Sequence, residues 1–282
     1  MERRPASFVV MGSLDAPASP IVLSVPHAGR DYPLALRAML RVPVAALMAL
    51  EDRHVDAVAL AAREGETLLV QRTARAWIDL NRGEDERDPK LEEGATAMRQ
   101  PALSAKLRSG LGLVPRRTPG AGEIWRRRLA GDEVAARLAG AHRPYHAALA
   151  QALAAARARF GVALLLDLHS MPTPPSGARV VIGDRFGRSA AGRFVGRAED
   201  VARGAGHVVA LNAPYAGGHV LERHADLRAG VHAIQLELDR GLYLDRTLTE
   251  PGAGLAATAR LVRGIVDALA DEALGGARLA AE

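Results

Sequence analysis

The chain has 282 residues, of which 49% are hydrophobic and 24% are charged, and its formal net charge is +5. These values are typical of a soluble globular protein with an ample core. The sequence contains no cysteine, which excludes disulfide bonds and thiolate metal sites and leaves histidine and carboxylate side chains as metal ligands. Arginines are spread along the chain without interleaved aromatic residues, so nucleic-acid binding is not predicted. No apolar run approaches the roughly 20 residues that cross a membrane, and a cytoplasmic location is expected.

The first half of the chain combines apolar runs with one stretch of helical spacing. Helical periodicity from about Val44 to Arg63 predicts one helix, on which Asp52 and Asp56 share a face because they are four residues apart. Residues 83–122 are rich in charge, proline and glycine, and we expect an irregular excursion that covers or borders a site. Strands are predicted at Ile21–Val25, Thr67–Val70 and Arg75–Leu80.

The second half of the chain alternates strands with helices. Strands are predicted at Val162–Leu168, Arg179–Ile182, His207–Leu211 and Val231–Leu238. Helices are predicted at Asp132–Phe160, Ser189–Ala202 and about Gly254–Ala273, and Pro144 is a candidate break in the first of them. This alternation predicts an α/β fold with three layers, in which a mostly parallel mixed sheet carries helices on both faces. We expect a single hydrolytic domain over residues 1–282.

Three apolar runs end in histidine or carboxylate residues. His27 follows the first run, His169 ends the run at Val162–Leu168, and Glu237 lies near the end of Val231–Leu238. Open α/β sheets place their chemistry at the carboxyl ends of the strands. A catalytic zinc site needs about three protein ligands and one open position for water. The pattern therefore predicts a zinc site, with another divalent metal as the alternative.

The third metal ligand should be a nearby carboxylate. Asp52 and Asp56 are the candidates, with Asp31 behind them, and the alternative is that the helix acids are exposed and balanced by Arg53. Glu237 is the candidate general base, because a carboxylate can take a proton from an activated water and pass it to a leaving amine. The alternative for Glu237 is an ion pair with an arginine that closes a strand.

Asn81 and Arg82 follow the predicted strand at Arg75–Leu80 and are candidates for substrate binding. Arginine presents a planar fork that binds a carboxylate through two hydrogen bonds, and asparagine adds a directional donor. The alternative is an ordinary surface arginine. His146 is a further candidate contact, unless it packs locally on its helix. Three residues of a glycine-rich loop are also candidates to line the pocket: Asn212, Tyr215 and His219.

Six motifs, spread over about residues 20 to 265, together resemble the N-formylglutamate amidohydrolase family. They are Pro26–Pro33, Asp52–Asp56, Asp79–Arg82, Asp167–Ser170, Asn212–Tyr215 and Glu237–Tyr243. That family is similar in fold to the zinc carboxypeptidases and aspartoacylases. Leu168-His169-Ser170 resembles the second-histidine strand end of the carboxypeptidases, Asn81-Arg82 resembles their carboxylate-holding pair, and Glu237 resembles their catalytic glutamate.

One position departs from the carboxypeptidase pattern. Carboxypeptidases take a glutamate ligand three residues after the first histidine, and this chain has Arg30 there. The carboxylate ligand must therefore come from elsewhere. We predict Asp52 as that ligand, beside His27 and His169, and keep Asp56 as the alternative.

The resemblance implies a metal-dependent hydrolysis of the amide bond of an N-formyl or other N-acyl amino acid. The first candidate substrate is N-formyl-L-glutamate, which would give glutamate and formate in histidine degradation. The expected partner is thus a small anionic molecule, and neither a membrane nor a nucleic acid is expected. The alternatives are a deacylase of another N-acyl amino acid and a non-catalytic metal-binding or ligand-binding member of the fold. Glu237 argues against the second alternative, because a pure binder needs no base.

Overall fold

The strands of the molecule form one large sheet and one small hairpin in a computed structural model that describes residues 6–95 and 105–279. The strands are β1 (Phe8–Met11), β2 (Ile21–Val25), β3 (Thr67–Gln71), β4 (Arg117–Thr118), β5 (Gly122–Glu123), β6 (Ala163–Met171), β7 (Val180–Gly183), β8 (Val209–Leu211) and β9 (Val231–Asp239). The hairpin pairs β4 with β5, and the sheet has the order β1-β3-β2-β6-β9-β7-β8. Within the sheet, β1 is antiparallel to β3 and β7 is antiparallel to β9, while the other neighbours are parallel. This confirms the mostly parallel mixed sheet.

Helices cover both faces of the sheet. They are α1 (Leu34–Met39), α2 (Val55–Ala62), α3 (Ala105–Arg108), α4 (Gly131–Arg137), α5 (Arg143–Phe160), α6 (Gly192–Gly204), α7 (His219–His224) and α8 (Leu255–Leu279). The side chains of β6 alternate between the two faces, as strand geometry requires. Leu164, Leu166 and Leu168 share a core with α2, α6 and α8, whereas Leu165 packs in a second core with α1, α4, α5 and α7. The predicted three-layer α/β architecture is therefore confirmed.

The central strands bring their carboxyl ends to one edge of the sheet. Every residue of β2 and β6 is buried, as is every residue of β9 except the first. Strands covered on both faces need continuous apolar runs, which explains the sequence of β6 up to Leu166. β2 and β9 flank β6 in parallel, so the residues that follow β2 and those near the ends of β6 and β9 meet at the same edge.

The irregular excursion predicted at 83–122 lies partly outside the described residues, because residues 96–104 are not described. In its described part the only regular elements are α3 and the β4–β5 hairpin. No helix within residues 6–95 and 105–279 is both long and apolar enough to cross a membrane.

The prediction of one helix over Val44–Arg63 is wrong. A 3-10 helix covers Val44–Leu50, and α2 begins only at Val55. Between them the backbone N–H of Asp52 donates to the carbonyl of His27 at 2.9 Å, and His54 has a left-handed φ of 56°. Asp52 therefore lies in a turn while Asp56 lies in the first turn of α2, and the two do not share a helix face.

Two further predictions need correction. Arg75–Leu80 is not a strand but a series of turns, in which the carboxylate of Asp79 accepts a hydrogen bond from the backbone N–H of Asn81 at 2.8 Å. Such a local bond competes with strand pairing. The helix predicted at Asp132–Phe160 is divided by a π-helical turn at Leu138–His142, and Pro144 lies in the first turn of α5, where its missing N–H is tolerated.

Candidate active site

His27 and His169 lie side by side at the edge of the sheet. Their ring centroids are 4.8 Å apart, and both side chains are buried. Each Nε2 is held by a buried carboxylate, since His27 contacts Asp79 Oδ1 at 2.7 Å and His169 contacts Asp167 Oδ2 at 2.8 Å. The Nδ1 atoms of both rings therefore point to the same place, where Oδ2 of Asp52 lies 3.0 Å from His169 and 3.5 Å from His27.

His27, Asp52 and His169 form what we call the candidate metal site. One ligand atom from each lies within 4.8 Å of the others, and Nδ1 of His27 is buried without a hydrogen-bond partner among the described residues. A histidine whose other ring nitrogen is held by a carboxylate is the usual form of a metal ligand. Two histidines and one aspartate are also a donor set that suits zinc. These residues could thus hold a divalent metal ion.

The electrostatics of the candidate metal site favour a positive charge. Burial disfavours the protonated form of His169, but Asp167 and Asp52 still raise its pKa well above the usual range. Burial likewise disfavours ionised Asp52, yet its hydrogen bond with His169 and the nearby ring of His27 hold its pKa well below the usual range. A metal ion can supply this positive charge in place of the proton.

Asp56, the alternative carboxylate ligand, lies outside this group. Its two carboxylate oxygens accept hydrogen bonds from the guanidinium of Arg30 at 3.0 and 2.7 Å. Arg30 is the residue that occupies the position of the carboxypeptidase glutamate. The structure therefore groups Asp52, and not Asp56, with the two histidines.

Buried residues to which the sequence analysis gave no role hold the two histidines on the side away from the candidate metal site. Asp167 accepts a hydrogen bond from Ser24 Oγ at 2.6 Å, and that hydroxyl lies 2.9 Å from the hydroxyl of Tyr145. On the other side, Arg75 donates to Asp79 through Nε at 2.8 Å. Burial opposes the ionisation of Asp79, but neighbouring arginines keep its pKa well below the usual range. Asp79 and Asp167 each begin one of the six motifs, and this is the feature of the sequence that could have identified them.

Glu237 lies beside His169 because the two residues are paired in the register of β6 and β9. Its side chain is buried, and Oε1 accepts a hydrogen bond from Gln235 Nε2 at 2.8 Å. Burial raises the pKa of Glu237 to about 7, the positive charge of His169 lowers it, and the charge of Asp52 raises it. A carboxyl group with this pKa can both accept and release a proton near neutral pH.

A cavity of about 630 Å³ opens in front of Glu237 and the candidate metal site. Its volume is within the range of small-molecule sites. Among the described residues, four cationic side chains line it, namely Arg75, Arg82, Lys106 and Arg240, and its polar lining also includes Asn81, Tyr215 and Gln235. A larger cavity of about 940 Å³ lies elsewhere and contains none of the residues of the candidate metal site, so the smaller cavity is the relevant one.

Arg82 is buried in the wall of this cavity, and part of its guanidinium group already donates hydrogen bonds to backbone carbonyls. Nε donates to the carbonyl of Leu111 at 2.8 Å, and Nη1 donates to the carbonyl of Asn81 at 2.5 Å. Any carboxylate must therefore approach the end formed by Nη1 and Nη2. Asn81 is fixed as well, because its Oδ1 accepts a hydrogen bond from the backbone N–H of Val220 at 2.9 Å.

The predicted loop residues divide into two groups. Tyr215 lines the cavity. Asn212 does not, because its Oδ1 accepts hydrogen bonds from the backbone N–H groups of Asp184 and Phe186 and thereby closes a local turn. His219 and His146 are also absent from the cavity lining and pack instead against each other, with ring centroids 5.3 Å apart.

The mostly parallel sheet and the polar cavity at its carboxyl edge are those of an α/β hydrolytic enzyme. The family model for N-formylglutamate amidohydrolase matches residues 19–244, and the chain belongs to this family. All the candidate site residues lie within the matched range. Family membership thus agrees with the resemblance found in the motifs.

Individual relatives cover most of the chain. N-formylglutamate deformylase from Pseudomonas putida is 31% identical over 241 residues, which are 81% of this chain and 83% of the relative. The deformylase from Pseudomonas aeruginosa is 30% identical over 271 residues, which are 92% of this chain and 94% of the relative. The crystal structure of N-formylglutamate amidohydrolase from Ralstonia eutropha JMP134 is 33% identical with a TM-score of 0.85, and the match covers 96% of this chain and 99% of that chain. A gene product of Agrobacterium tumefaciens shares the fold, with 19% identity, a TM-score of 0.69 and coverage of 97% and 96% of the two chains.

Proposed function

We propose that this chain hydrolyses the formamide bond of N-formyl-L-glutamate to glutamate and formate, with a zinc ion held by His27, Asp52 and His169. The observation that carries the proposal is the convergence of these three ligand atoms within 4.8 Å, beside buried Glu237, in a cavity lined by cations. The proposal is supported by the family and by the relatives named N-formylglutamate deformylase. In this proposal the enzyme acts in the cytoplasm, in histidine degradation.

The metal, when bound, would supply Lewis acidity that polarises the formamide carbonyl and lowers the pKa of water. Glu237 takes the proton of the attacking water and delivers it to the nitrogen of the leaving amine. A pKa of about 7 suits both transfers, because the group gains and loses a proton at similar cost. Asp79 and Asp167 keep Nδ1 of the two histidines directed at the ligand position.

The cationic lining selects an anionic substrate. N-formyl-L-glutamate carries two carboxylates, and in this proposal Nη1 and Nη2 of Arg82, which lines the cavity, bind the α-carboxylate. Arg240 and Lys106 supply positive charge for the side-chain carboxylate. Arg240 is held in place by hydrogen bonds to Ser170 Oγ at 3.1 Å and to the carbonyl of Glu51 at 2.6 Å.

The test combines metal analysis with an assay on a panel of N-formyl and N-acetyl amino acids. We expect the highest kcat/KM for N-formyl-L-glutamate, loss of activity when a chelator removes the metal, and recovery when zinc is returned. A higher kcat/KM for an N-acetyl amino acid, or for an N-formyl amino acid with an uncharged side chain, would overturn the substrate assignment. Full activity in protein that has been stripped of metal would overturn the metal-dependent mechanism.

A further inference from the structure

Four histidines gather outside the catalytic cavity, between α5 and α7. We call His142, His146, His219 and His224 the second histidine cluster. The ring centroids of His142 and His146 are 4.4 Å apart, and those of His146 and His224 are 5.1 Å apart. None of the four lines the catalytic cavity. Four of the nine histidines of the chain are thus collected at one place for which the proposed reaction has no use.

Three members of the second histidine cluster have the separation of metal ligands. One ring nitrogen from each of His142, His146 and His219 lies within 4.8 Å of the other two. His142 and His146 are fully buried, whereas His219 is only partly buried. The site therefore combines an enclosed interior with access from the side of His219.

Backbone carbonyls hold two of these rings through Nε2, which leaves Nδ1 of each ring available to a ligand. Nε2 of His142 donates to the carbonyl of Arg82 at 2.9 Å, and Nε2 of His146 donates to the carbonyl of Leu80 at 2.9 Å. A carbonyl can only accept, so each Nε2 carries the proton and each Nδ1 carries a lone pair. Metal-binding histidines are oriented in the same way, with the second ring nitrogen bonded to a carbonyl or carboxylate.

Two nitrogens of the second histidine cluster are buried without a hydrogen-bond partner in the part of the chain that the structure describes, namely His142 Nδ1 and His219 Nε2. Burying a polar atom in this way is costly unless something binds it. The remaining lone pair, on His146 Nδ1, lies 2.9 Å from Nε2 of His224. Burial lowers the pKa of His219 to about 4 and that of His224 to about 3, so these rings are neutral at physiological pH, which is the form that binds metals.

We propose that His142, His146 and His219 bind a second divalent transition metal, which the all-nitrogen ligand set identifies as zinc-like, apart from the candidate metal site. Three imidazoles suit zinc and disfavour magnesium or calcium, which prefer oxygen ligands. When the metal binds, it displaces Nε2 of His224 from the lone pair of His146 Nδ1, and the ring of His146 stays bonded to the carbonyl of Leu80. Because His142 and His146 also hold the carbonyls of Arg82 and Leu80, this metal fastens the segment around Asn81 to α5 and α7. Its role is structural, and the proposal does not depend on the proposed reaction.

The test measures zinc in protein whose candidate metal site has been disabled. In the double variant His27→Ala/His169→Ala, we expect one equivalent of zinc to remain after dialysis and zinc to raise the Tm. Adding His219→Gln should abolish both effects, because it removes the most accessible ligand. The matched control adds His207→Gln, a partly exposed histidine outside both histidine groups, and should leave both effects unchanged.

If the double variant does not fold, the same proposal can be tested in the parent protein. There His219→Gln should lower the zinc content from two equivalents to one, as measured by mass spectrometry of the metal. A folded double variant that binds no zinc would overturn the second site and leave the candidate metal site intact. If the parent protein binds only one equivalent of zinc, and this equivalent persists in the double variant but disappears with His219→Gln, the second site stands and the catalytic metal of the proposed function is refuted.

Discussion

Removal of the Arg82 guanidinium tests the proposal that this residue binds the α-carboxylate of N-formyl-L-glutamate. In the structure Nε and one hydrogen of Nη1 are committed to the carbonyls of Leu111 and Asn81, so the α-carboxylate would be held end-on by Nη1 and Nη2. Breaking a buried, hydrogen-bonded charge pair costs about 2–5 kcal/mol. At about 1.4 kcal/mol for each factor of ten, Arg82→Ala should lower kcat/KM by about 30-fold to a few thousand-fold.

Arg82→Lys should lie between the parent and Arg82→Ala. Lysine keeps the positive charge but loses the planar fork and cannot reproduce both bonds to the backbone carbonyls. Those two bonds also stabilise the fold, at about 1 kcal/mol each, so both variants should unfold at lower urea concentrations. This loss of stability acts equally on all substrates and can be separated from recognition.

The assay compares two substrates, N-formyl-L-glutamate and N-formyl-4-aminobutyrate, which differs by lacking the α-carboxylate. The second compound should be a poor substrate for the parent enzyme and should be nearly indifferent to Arg82→Ala, because the contact being removed was never made. Arg127→Ala, which breaks an exposed ion pair with Glu133, is the control and should change neither rate. If Arg82→Ala slows both substrates by the same factor, the assignment of Arg82 to the α-carboxylate is wrong.

Three further predictions concern the base, the metal and the response to acid. Glu237→Gln should keep fold and metal but lower kcat by roughly 10² or more, the usual effect of losing a general base, and normal turnover with metal bound would reject the assignment. His169→Ala should lower the zinc content by one equivalent, and unchanged zinc content in the folded variant would remove His169 from the site. Burial, together with Arg193, lowers the pKa of His232 to about 4, whereas an unfolded histidine titrates at about 6.5. The unfolded chain therefore binds the proton first, and stability falls as the pH drops from about 6.5 to 4. The free energy of unfolding, measured with urea at about pH 6.5 and pH 4, should fall by roughly 2 kcal/mol less in His232→Gln than in the parent protein. An equal fall in both proteins would count against a buried, neutral His232.

The sequence by itself determined the central strands and the edge of the sheet where the candidate active site lies. Apolar runs long enough for doubly covered strands predicted β2, β6 and β9, and parallel pairing then required His27, His169 and Glu237 to meet at one edge. This inference works because it depends on local periodicity and on a general rule of sheet geometry. Both are encoded within a few consecutive residues, so they can be read without knowing what packs on the sheet.

The tertiary structure alone decided which carboxylate joins the histidines. Periodicity placed Asp52 and Asp56 on one helix face, but the bond from the Asp52 backbone to His27 and the left-handed turn at His54 separate them. No local sequence pattern predicts a hydrogen bond between Asp52 and His27, which are 25 positions apart in the chain. Helical propensity is worth only tenths of a kcal/mol per residue, so a buried long-range contact overrides it.

Tertiary structure also decided the neighbours of the second histidine cluster and of the catalytic cavity. His142 and His146 are four residues apart and so share one helical face, whereas His219 belongs to α7, which follows three intervening strands and α6. Arg75 reaches Asp79 through turns that the apolar pattern had suggested were a strand. Such contacts form because buried polar groups must find partners wherever the packed chain offers them, and that requirement is met in three dimensions and not along the sequence.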